Sequence, residues 1–144
     1  MAKVTIRIDL SDRGAIGPGK IRLLELVGES GSISAAGRAM SMSYRRAWLL
    51  IDGLNQCFRT PVVETQLGGN RGGGAVLTQL GHDVIARYRA IERAAMKAGA
   101  AELAALDAAQ ASRRRPLSAG TSRRRSSLMP RRTRAARTHG AASR

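Results

Sequence analysis

The stretch GSISAAGRAMSMSYRRAWLLIDGL, residues 31–54, decides the fold of this chain. It holds two short segments with apolar residues at helical spacing, separated by a turn of three to four residues. Ser32 stands before the first segment and Ser43 before the second, and a serine hydroxyl at a helix start accepts a backbone N–H. The pattern predicts a helix-turn-helix, a motif whose second helix enters the major groove of DNA.

The second predicted helix has one apolar face. Apolar residues recur there at intervals of three and four, which predicts that this face points inward. These residues are Tyr44, Ala47, Trp48, Ile51, Leu54 and Phe58. In the first helix, Gly37 lies where the second helix must pass, so its missing side chain has a steric reason.

Arg45 and Arg46 stand in the opening turn of the second helix and fall on its other faces. Arginine binds guanine edges with two hydrogen bonds or binds phosphate, so the pair predicts contact with DNA. Taken alone, an Arg-Arg pair also fits a solvated basic face on an ordinary helical hairpin. The turn and the two caps around it favour the DNA interpretation.

A strand, a helix and a hairpin surround this motif. Residues 3–10 alternate between polar and apolar, which predicts a half-buried strand, and residues 21–27 have the spacing of a supporting helix. Residues 61–66 and 75–78 predict the two strands of a hairpin around the glycine-rich turn LGGNRGGG. A hairpin after a helix-turn-helix is a wing, and its tip would bring Asn70 and Arg71 to phosphate or the minor groove. The alternative is a floppy turn.

A long helix is predicted after the hairpin, from about residue 79 to residue 106, with Thr78 as its cap. Its apolar residues form a narrow seam at four- and three-residue spacing, which favours a dimer interface. The predicted dimerisation residues are Val84, Tyr88, Ile91 and Ala95.

The predicted fold class is therefore mainly α with a small β-hairpin: a winged helix-turn-helix with a long C-terminal dimerisation helix. The predicted DNA-binding domain spans residues 1–110, which is enough chain for one core. Residues 111–144 hold eleven arginines, no acidic residue and no hydrophobic period. We therefore predict a disordered tail there.

The charge of the chain predicts a polyanionic partner. The 144 residues include 25 Lys plus Arg against 10 Asp plus Glu, for a formal net charge of +15. Tail arginines would bind any polyanion by counterion release. The basic residues are almost all arginine, a bias expected from a GC-rich coding sequence, so a functional tail and a coding accident both fit.

Little in the sequence favours catalysis, metal binding or membrane contact. Residues 14–20 have the loose spacing of a phosphate-binding loop, but Ile21 stands where a Ser or Thr hydroxyl must hold Mg²⁺. Cys57 is the only cysteine, which excludes an internal disulfide and favours a spectator thiol. We expect no enzymatic activity, no cofactor and no metal. No apolar run approaches about 18 residues, so we expect no membrane contact and a cytoplasmic location.

Two segments resemble a known family. SGSISAAGRAMSMSYRRAW at residues 30–48 and LGGNRGGGAVLTQLG at residues 67–81 look like the N-terminal DNA-binding domain of ModE-type molybdate-responsive transcriptional regulators. The helix-turn-helix part is also similar to the LysR type. The resemblance implies a recognition helix at residues 43–55, a wing at residues 66–76 and a dimerising helix after Thr78. Full-length members carry molybdate-binding domains, whereas this chain ends in the arginine-rich tail, so molybdate binding is not expected in it.

The sequence thus predicts a transcriptional regulator that binds a pseudo-palindromic operator as a homodimer. The alternative is a non-specific nucleoid-type or RNA-binding protein in which the basic tail supplies most of the affinity. The residues predicted to contact double-stranded DNA are Ser32, Arg38, Ser43, Tyr44, Arg45, Arg46, Asn70 and Arg71.

Overall fold

The structure is a computed structural model that describes residues 1–66 and 74–111. Within these ranges the chain forms four short strands and five helices. The strands are β1 (Ile8–Asp9), β2 (Ala15–Ile16), β3 (Val63–Gln66) and β4 (Gly74–Leu77). The helices are α1 (Pro18–Ser30), α2 (Ile33–Ala39), α3 (Tyr44–Cys57), α4 (Gln79–Ala98) and α5 (Ala100–Ala109). Strand β1 pairs with β2 and β3 pairs with β4, both antiparallel.

The predicted fold class was wrong in its sheet content and in its last helix. The prediction contained one small hairpin, but the described residues contain two separate two-stranded sheets. It also contained one helix over residues 79–106, but Gly99 divides this region into α4 and α5. Glycine is a poor helix former, and two helices meet at this residue. Five helices with two small antiparallel sheets, counted over the described ranges, therefore replace the predicted winged helix with its long dimerisation helix.

The N-terminal strand is much shorter than predicted. Only Ile8 and Asp9 pair with a second strand, because the chain turns back directly after Leu10. The Leu10 amide donates a hydrogen bond to the Gly14 carbonyl across 2.7 Å, and Gly14 has a φ of 125°, which favours glycine. The predicted alternation of half-buried and exposed side chains nevertheless extends over residues 3–10.

Helix α1 lies at the centre of the core. Pro18 begins the helix with a backbone angle that is already helical. Its fully buried side chains are Ile21, Leu23, Leu24 and Val27. Gly31 ends the helix at a φ of 68°, and its amide donates to the Val27 carbonyl. Residues of α2, α3, β3, β4 and α4 complete the same core cluster.

The three predicted helix caps are confirmed. Ser32 accepts a hydrogen bond from the Ala35 amide at the start of α2, and Ser43 accepts one from the Arg46 amide at the start of α3. Thr78 accepts one from the Gly81 amide at the start of α4. Each hydroxyl supplies an acceptor to an amide that has no partner inside its own helix, which stabilises the helix by about 1 kcal/mol.

Two glycines allow close approaches between elements. A Cβ on Gly37 would lie 3.0 Å from the Cβ of Ala47, so the predicted steric reason for this glycine is confirmed at the crossing of α2 and α3. The contact at Gly81 is tighter, because a Cβ there would lie 2.2 Å from the Val62 carbonyl oxygen. Helix α4 therefore lies against the backbone just before β3.

An ion-pair cluster joins α1 to α4. Arg89 donates to Glu25 across 2.7 Å and to Glu92 across 2.7 Å, and Arg22 donates to Glu25 across 3.1 Å. The hydrogen bond from Arg89 is the main cause that lowers the pKa of Glu25 from its ordinary value of 4.5, and partial burial opposes it. The same bond raises the pKa of Arg89. The cluster holds the middle of α4 against α1.

The lowered pKa of Glu25 predicts a dependence of stability on acid. A carboxyl with a lower pKa in the folded state than in the unfolded chain stabilises the fold above the unfolded value and loses this contribution as pH falls through the folded value. We therefore expect the free energy of unfolding to decrease as the pH is lowered below 4.5, the ordinary pKa of a glutamate. Urea unfolding between about pH 6 and pH 3 measures this, and Glu25→Gln should flatten the profile. An unchanged profile in that variant would contradict the prediction.

Candidate nucleic-acid interface

The turn between α2 and α3 is closed by backbone hydrogen bonds. The amides of Met40 and Met42 both donate to the Gly37 carbonyl, at 3.1 and 3.0 Å, and the Ser41 amide donates to the Arg38 carbonyl at 3.0 Å. Met40 and Met42 are half-buried and pack against the core. The start of α3 is thereby held at a defined place relative to α2.

Helix α3 buries a narrower face than predicted. Ala47, Ile51 and Leu54 are buried, but Tyr44 is 59% exposed and Trp48 is 42% exposed. The prediction that these two aromatic side chains face inward was wrong. Residues spaced three and four apart can also lie beside the buried face of a helix, and the core covers only the face with Ala47, Ile51 and Leu54.

The two arginines at the start of α3 are exposed, as predicted. Arg45 and Arg46 follow the cap directly, and neither side chain takes part in a hydrogen bond or ion pair within the described residues. Arg38 lies exposed on α2 and donates to Ser34 across 2.9 Å. Ser32 and Ser43 use their hydroxyls as helix caps. Arg45 and Arg46 therefore lie on the exposed part of α3, and Arg38 is exposed on the preceding helix.

The hairpin β3–β4 is attached to the helices through β4 and is closed at its base by hydrogen bonds of its own. The Ala75 amide donates to the Gly31 carbonyl across 2.9 Å, at the junction of α1 and α2. The Thr78 amide donates to the Val62 carbonyl, and its hydroxyl donates to the Pro61 carbonyl across 2.8 Å. The tip of the hairpin, with the predicted DNA contacts Asn70 and Arg71, lies outside the described residues.

Asn55 connects α3 to the hairpin and was missed in the sequence. Its side-chain oxygen accepts the amides of Val62 and Val63, at 2.8 and 3.1 Å, and its side-chain nitrogen donates to the Val63 carbonyl at 3.1 Å. The residue sets the entry of β3 relative to α3. An asparagine late in a helix gives no signal of such a role, because its partners lie seven and eight residues ahead.

Loss of the Asn55 side chain is expected to destabilise the fold. Asn55→Ala leaves two buried-strand amides without their acceptor, which costs roughly 1–3 kcal/mol. Asn55→Asp keeps an oxygen for both amides but removes the donor to the Val63 carbonyl, so it should also destabilise the fold. Urea denaturation of the two variants and the wild type measures the difference. A wild-type free energy of unfolding in Asn55→Ala would show that the side chain does not stabilise the hairpin.

A recess of about 360 Å³ separates the hairpin from the two helices. The exposed aromatic rings of α3 form one wall, and serine, threonine and glutamine side chains form much of the rest. The lining residues are Ser32, Ile33, Ser34, Tyr44, Trp48, Thr65, Gln66, Gly74 and Ala75. The recess offers hydroxyl and amide groups beside two aromatic faces, next to the arginines of α3.

The predicted dimerisation residues divide into two pairs. Val84 and Tyr88 are buried in the chain's own core, and the Tyr88 hydroxyl donates to the Ile6 carbonyl across 2.7 Å. These two residues of the predicted dimer seam therefore pack inside the chain's own core. Ile91 is exposed and Ala95 is half-buried. Only this second pair lies on a surface that a partner could reach.

Other candidate sites find ordinary structural roles. Cys57 is half-buried and its thiol donates to the Arg13 carbonyl across 2.9 Å. Lys20, in the loop that resembles a phosphate-binding loop, donates to the Ala15 carbonyl across 2.8 Å. In the ranges that the structure describes, no group of three His, Cys, Asp or Glu residues is placed to hold a metal ion. None of the helices described combines the length and apolarity needed to span a membrane.

The chain is similar to curated proteins of molybdenum metabolism and regulation. It is 44% identical over 82 residues to the molybdenum-pterin-binding protein MopB of Rhodobacter capsulatus, which covers 57% of this chain and 30% of MopB. It is 37% identical over 92 residues to the molybdenum transport protein ModE of Azotobacter vinelandii, covering 64% of this chain and 33% of that protein. It is 35% identical over 97 residues to the DNA-binding transcriptional dual regulator ModE of Escherichia coli K12, covering 67% and 37%.

The similarity is partial on the side of the relatives. The chain spans about a third of the length of the curated proteins that it matches. No known protein-family model matches the chain. The names of these relatives describe binding, transport and regulation.

The prediction that this chain resembles only the DNA-binding domain of ModE-type regulators was wrong, because it left out relatives that bind molybdenum compounds. A protein named for binding molybdenum-pterin is among the proteins that it matches. The expectation that molybdate binding is absent from this chain conflicts with that name. The chain is thus similar in sequence to two kinds of molybdenum-related protein, Mop-type binding proteins and ModE regulators.

Proposed function

We propose that this chain is a DNA-binding transcriptional regulator that contacts duplex DNA through α3. The observation that carries the proposal is the pair of exposed arginines, Arg45 and Arg46, in the first turn of a capped helix whose opposite face is buried. Side chains in that turn reach base edges when such a helix enters the major groove. The similarity to a regulator named as DNA-binding supports the same function.

The side chains around α3 can bind the phosphates of the DNA backbone. Arg38 lies exposed on the preceding helix, and the recess beside α3 offers the hydroxyl groups of Ser34 and Thr65. Arginine and hydroxyl side chains supply most contacts to phosphate and sugar, which position a protein on DNA. In this proposal Ser32, Ser43 and Tyr44 line the approach to the DNA backbone.

We further propose that the regulator is a homodimer. The C-terminal part of the described chain exposes apolar side chains: Ile91, Met96 and Leu106. Helix α5 has no buried residue, although its sequence is rich in alanine and leucine. A second copy of the chain would cover this surface, and a two-fold dimer binds a pseudo-palindromic site. Sedimentation at micromolar concentration that showed only monomer, with and without DNA, would count against the dimer.

Selection of binding sites from a random DNA pool tests the function. A specific regulator should enrich one sequence and bind it about 10³-fold or more tightly than random DNA at physiological salt. The alternative, a non-specific nucleic-acid-binding protein driven by the basic tail, should bind all sequences alike and lose affinity steeply with salt.

The proposed transcriptional regulator catalyses no reaction and acts in the cytoplasm.

A second candidate function is binding of a molybdenum oxyanion, and the name of MopB favours it. An oxyanion site requires amides, hydroxyls or cationic groups held around a shielded cavity. Titration calorimetry with molybdate decides the matter, with phosphate and sulfate as controls. Saturable binding of molybdate alone would support this function, and equal weak heats for the three anions would reject it.

A further inference from the structure

Helix α3 carries a large apolar side chain on its free face. Leu49 is 51% exposed, and it lies four residues after Arg45, so the two side chains are neighbours along one line of the helix. The buried residues Ala47, Ile51 and Leu54 lie on the opposite side. Leu49 therefore contributes little to the core.

Gly53 continues the same line, four residues after Leu49. It is exposed in the interior of α3, and a Cβ built on it would meet no protein atom within 4 Å. Gly37 and Gly81 are glycines because neighbouring elements approach them, but no other described element comes within 4 Å of a Cβ built on Gly53. A glycine in a helix interior destabilises the helix relative to alanine. The fold itself therefore gives no reason for glycine at this position.

We propose that the line of Leu49 and Gly53 lies on the floor of the major groove, where Leu49 contacts thymine methyl groups and Gly53 leaves room for the DNA. This inference rests on the proposed function. It assigns to Leu49 and Gly53 the recognition of thymine in the DNA sequence, which the arginines do not perform. The thymine methyl is the apolar group that the major groove exposes, and apolar side chains recognise it. The missing side chain at Gly53 would let the second half of α3 approach the duplex closely.

The charges around this line fit the same partner. Arg45 precedes Leu49 on the line, and Arg46 lies beside it. Two arginines at the start of the helix can bind guanine edges, and the apolar side chain behind them can contact thymine methyl groups further along the same groove. Gln56, seven residues after Leu49, ends the line, and its side chain donates a hydrogen bond to Asp52 across 2.9 Å.

The first test uses Gly53→Ala, with Gly19→Ala in α1 as a matched control. Both glycines are exposed helical residues with open space at the Cβ position. Both substitutions should raise the thermal midpoint of unfolding, because alanine favours the helix. Only Gly53→Ala should weaken binding to the selected operator, by roughly tenfold or more. A Gly53→Ala protein that is more stable and binds as tightly as the wild type would overturn the inference.

The second test uses the selected operator with uracil in place of thymine, one position at a time. Uracil lacks the methyl group and keeps the hydrogen-bonding edge. Wild-type protein should lose about tenfold in affinity at the contacted position, and Leu49→Ala should bind the thymine and uracil operators equally. Loss of the methyl preference in Leu49→Ala supports the contact. An equal loss in both proteins, or no loss at any position, would contradict it.

Failure of the inference and failure of the proposed function have different signatures. If the random pool yields no preferred sequence, the proposed function is wrong and this inference with it. If a preferred operator is found but tolerates uracil and Gly53→Ala, the function stands and the assignment of Leu49 and Gly53 is wrong.

Discussion

Simultaneous replacement of Arg45 and Arg46 by alanine is expected to remove sequence-selective DNA binding. An arginine that donates two hydrogen bonds to one base contributes about 1–3 kcal/mol of discrimination against the wrong base. Both side chains are exposed and lie outside the core, so the variant should unfold at the wild-type temperature. Binding to the selected operator and to random DNA, measured by fluorescence anisotropy of labelled duplexes, gives the discrimination directly.

The control for this experiment is the pair Arg87→Ala and Arg93→Ala. These arginines are exposed on α4 and their removal changes the net charge by the same amount. The control should weaken operator and random DNA alike and leave their ratio intact, because a distributed charge acts equally on all sequences. If the Arg45 and Arg46 variant kept the wild-type ratio, α3 would not be the helix that contacts the bases.

Replacement of Gly81 by alanine is expected to be the most damaging small substitution in the fold. The new Cβ would lie 2.2 Å from the Val62 carbonyl oxygen and 3.2 Å from its carbonyl carbon. Both are backbone atoms that a side-chain rotation cannot move. The start of α4 and the approach to β3 must therefore shift apart, at a cost of roughly 3 kcal/mol or more. Thermal unfolding followed by circular dichroism should show a lower midpoint.

Gly28→Ala gives a useful comparison for this clash. A Cβ on Gly28 would lie 2.7 Å from a terminal carbon of Leu77, which belongs to a flexible side chain. Rotation of Leu77 can relieve that contact, so the loss of stability should be much smaller than at Gly81. Equal losses in the two variants would show that the backbone around Val62 yields as easily as a leucine side chain.

Local signals in the sequence predicted the helices around the turn well. The caps at Ser32, Ser43 and Thr78 depend on hydroxyls three residues before the amides that they bind, so their partners are readable from the sequence. The close approach at Gly37 was also readable, because the turn brings the next helix back over it. In each case the interacting groups lie within about ten residues of one another.

Tertiary contacts account for what the sequence did not predict. Tyr44 and Trp48 have the same spacing as the buried Ala47 and Ile51, and only the packing of α2 and the hairpin decides which flank of α3 is covered. Tyr88 was predicted at a dimer seam, but its partner is the backbone of Ile6, 82 residues away. A periodic pattern shows that a helix has an apolar side and does not show what covers it.

The exposure of the two arginines in the candidate site was predicted from the sequence, but the residues around them that the structure brings into view were not. Arg45 and Arg46 were recognised because two arginines after a capping serine form a compact local pattern. Asn55 and Gly53 carry no such pattern: one binds strand backbone beyond the end of its helix, and the other is defined by the absence of neighbours. Both become visible only when the surroundings of α3 are placed in three dimensions.

The position of Trp48 gives this protein a built-in optical probe. The chain has one tryptophan, and it lies 42% exposed on the wall of the recess between α3 and the hairpin. Indole emission shifts and changes in intensity when water around the ring is replaced by another group. Intrinsic fluorescence therefore reports, without any label, on whatever enters the space beside α3, and it separates such an event from changes at the distant α4–α5 junction.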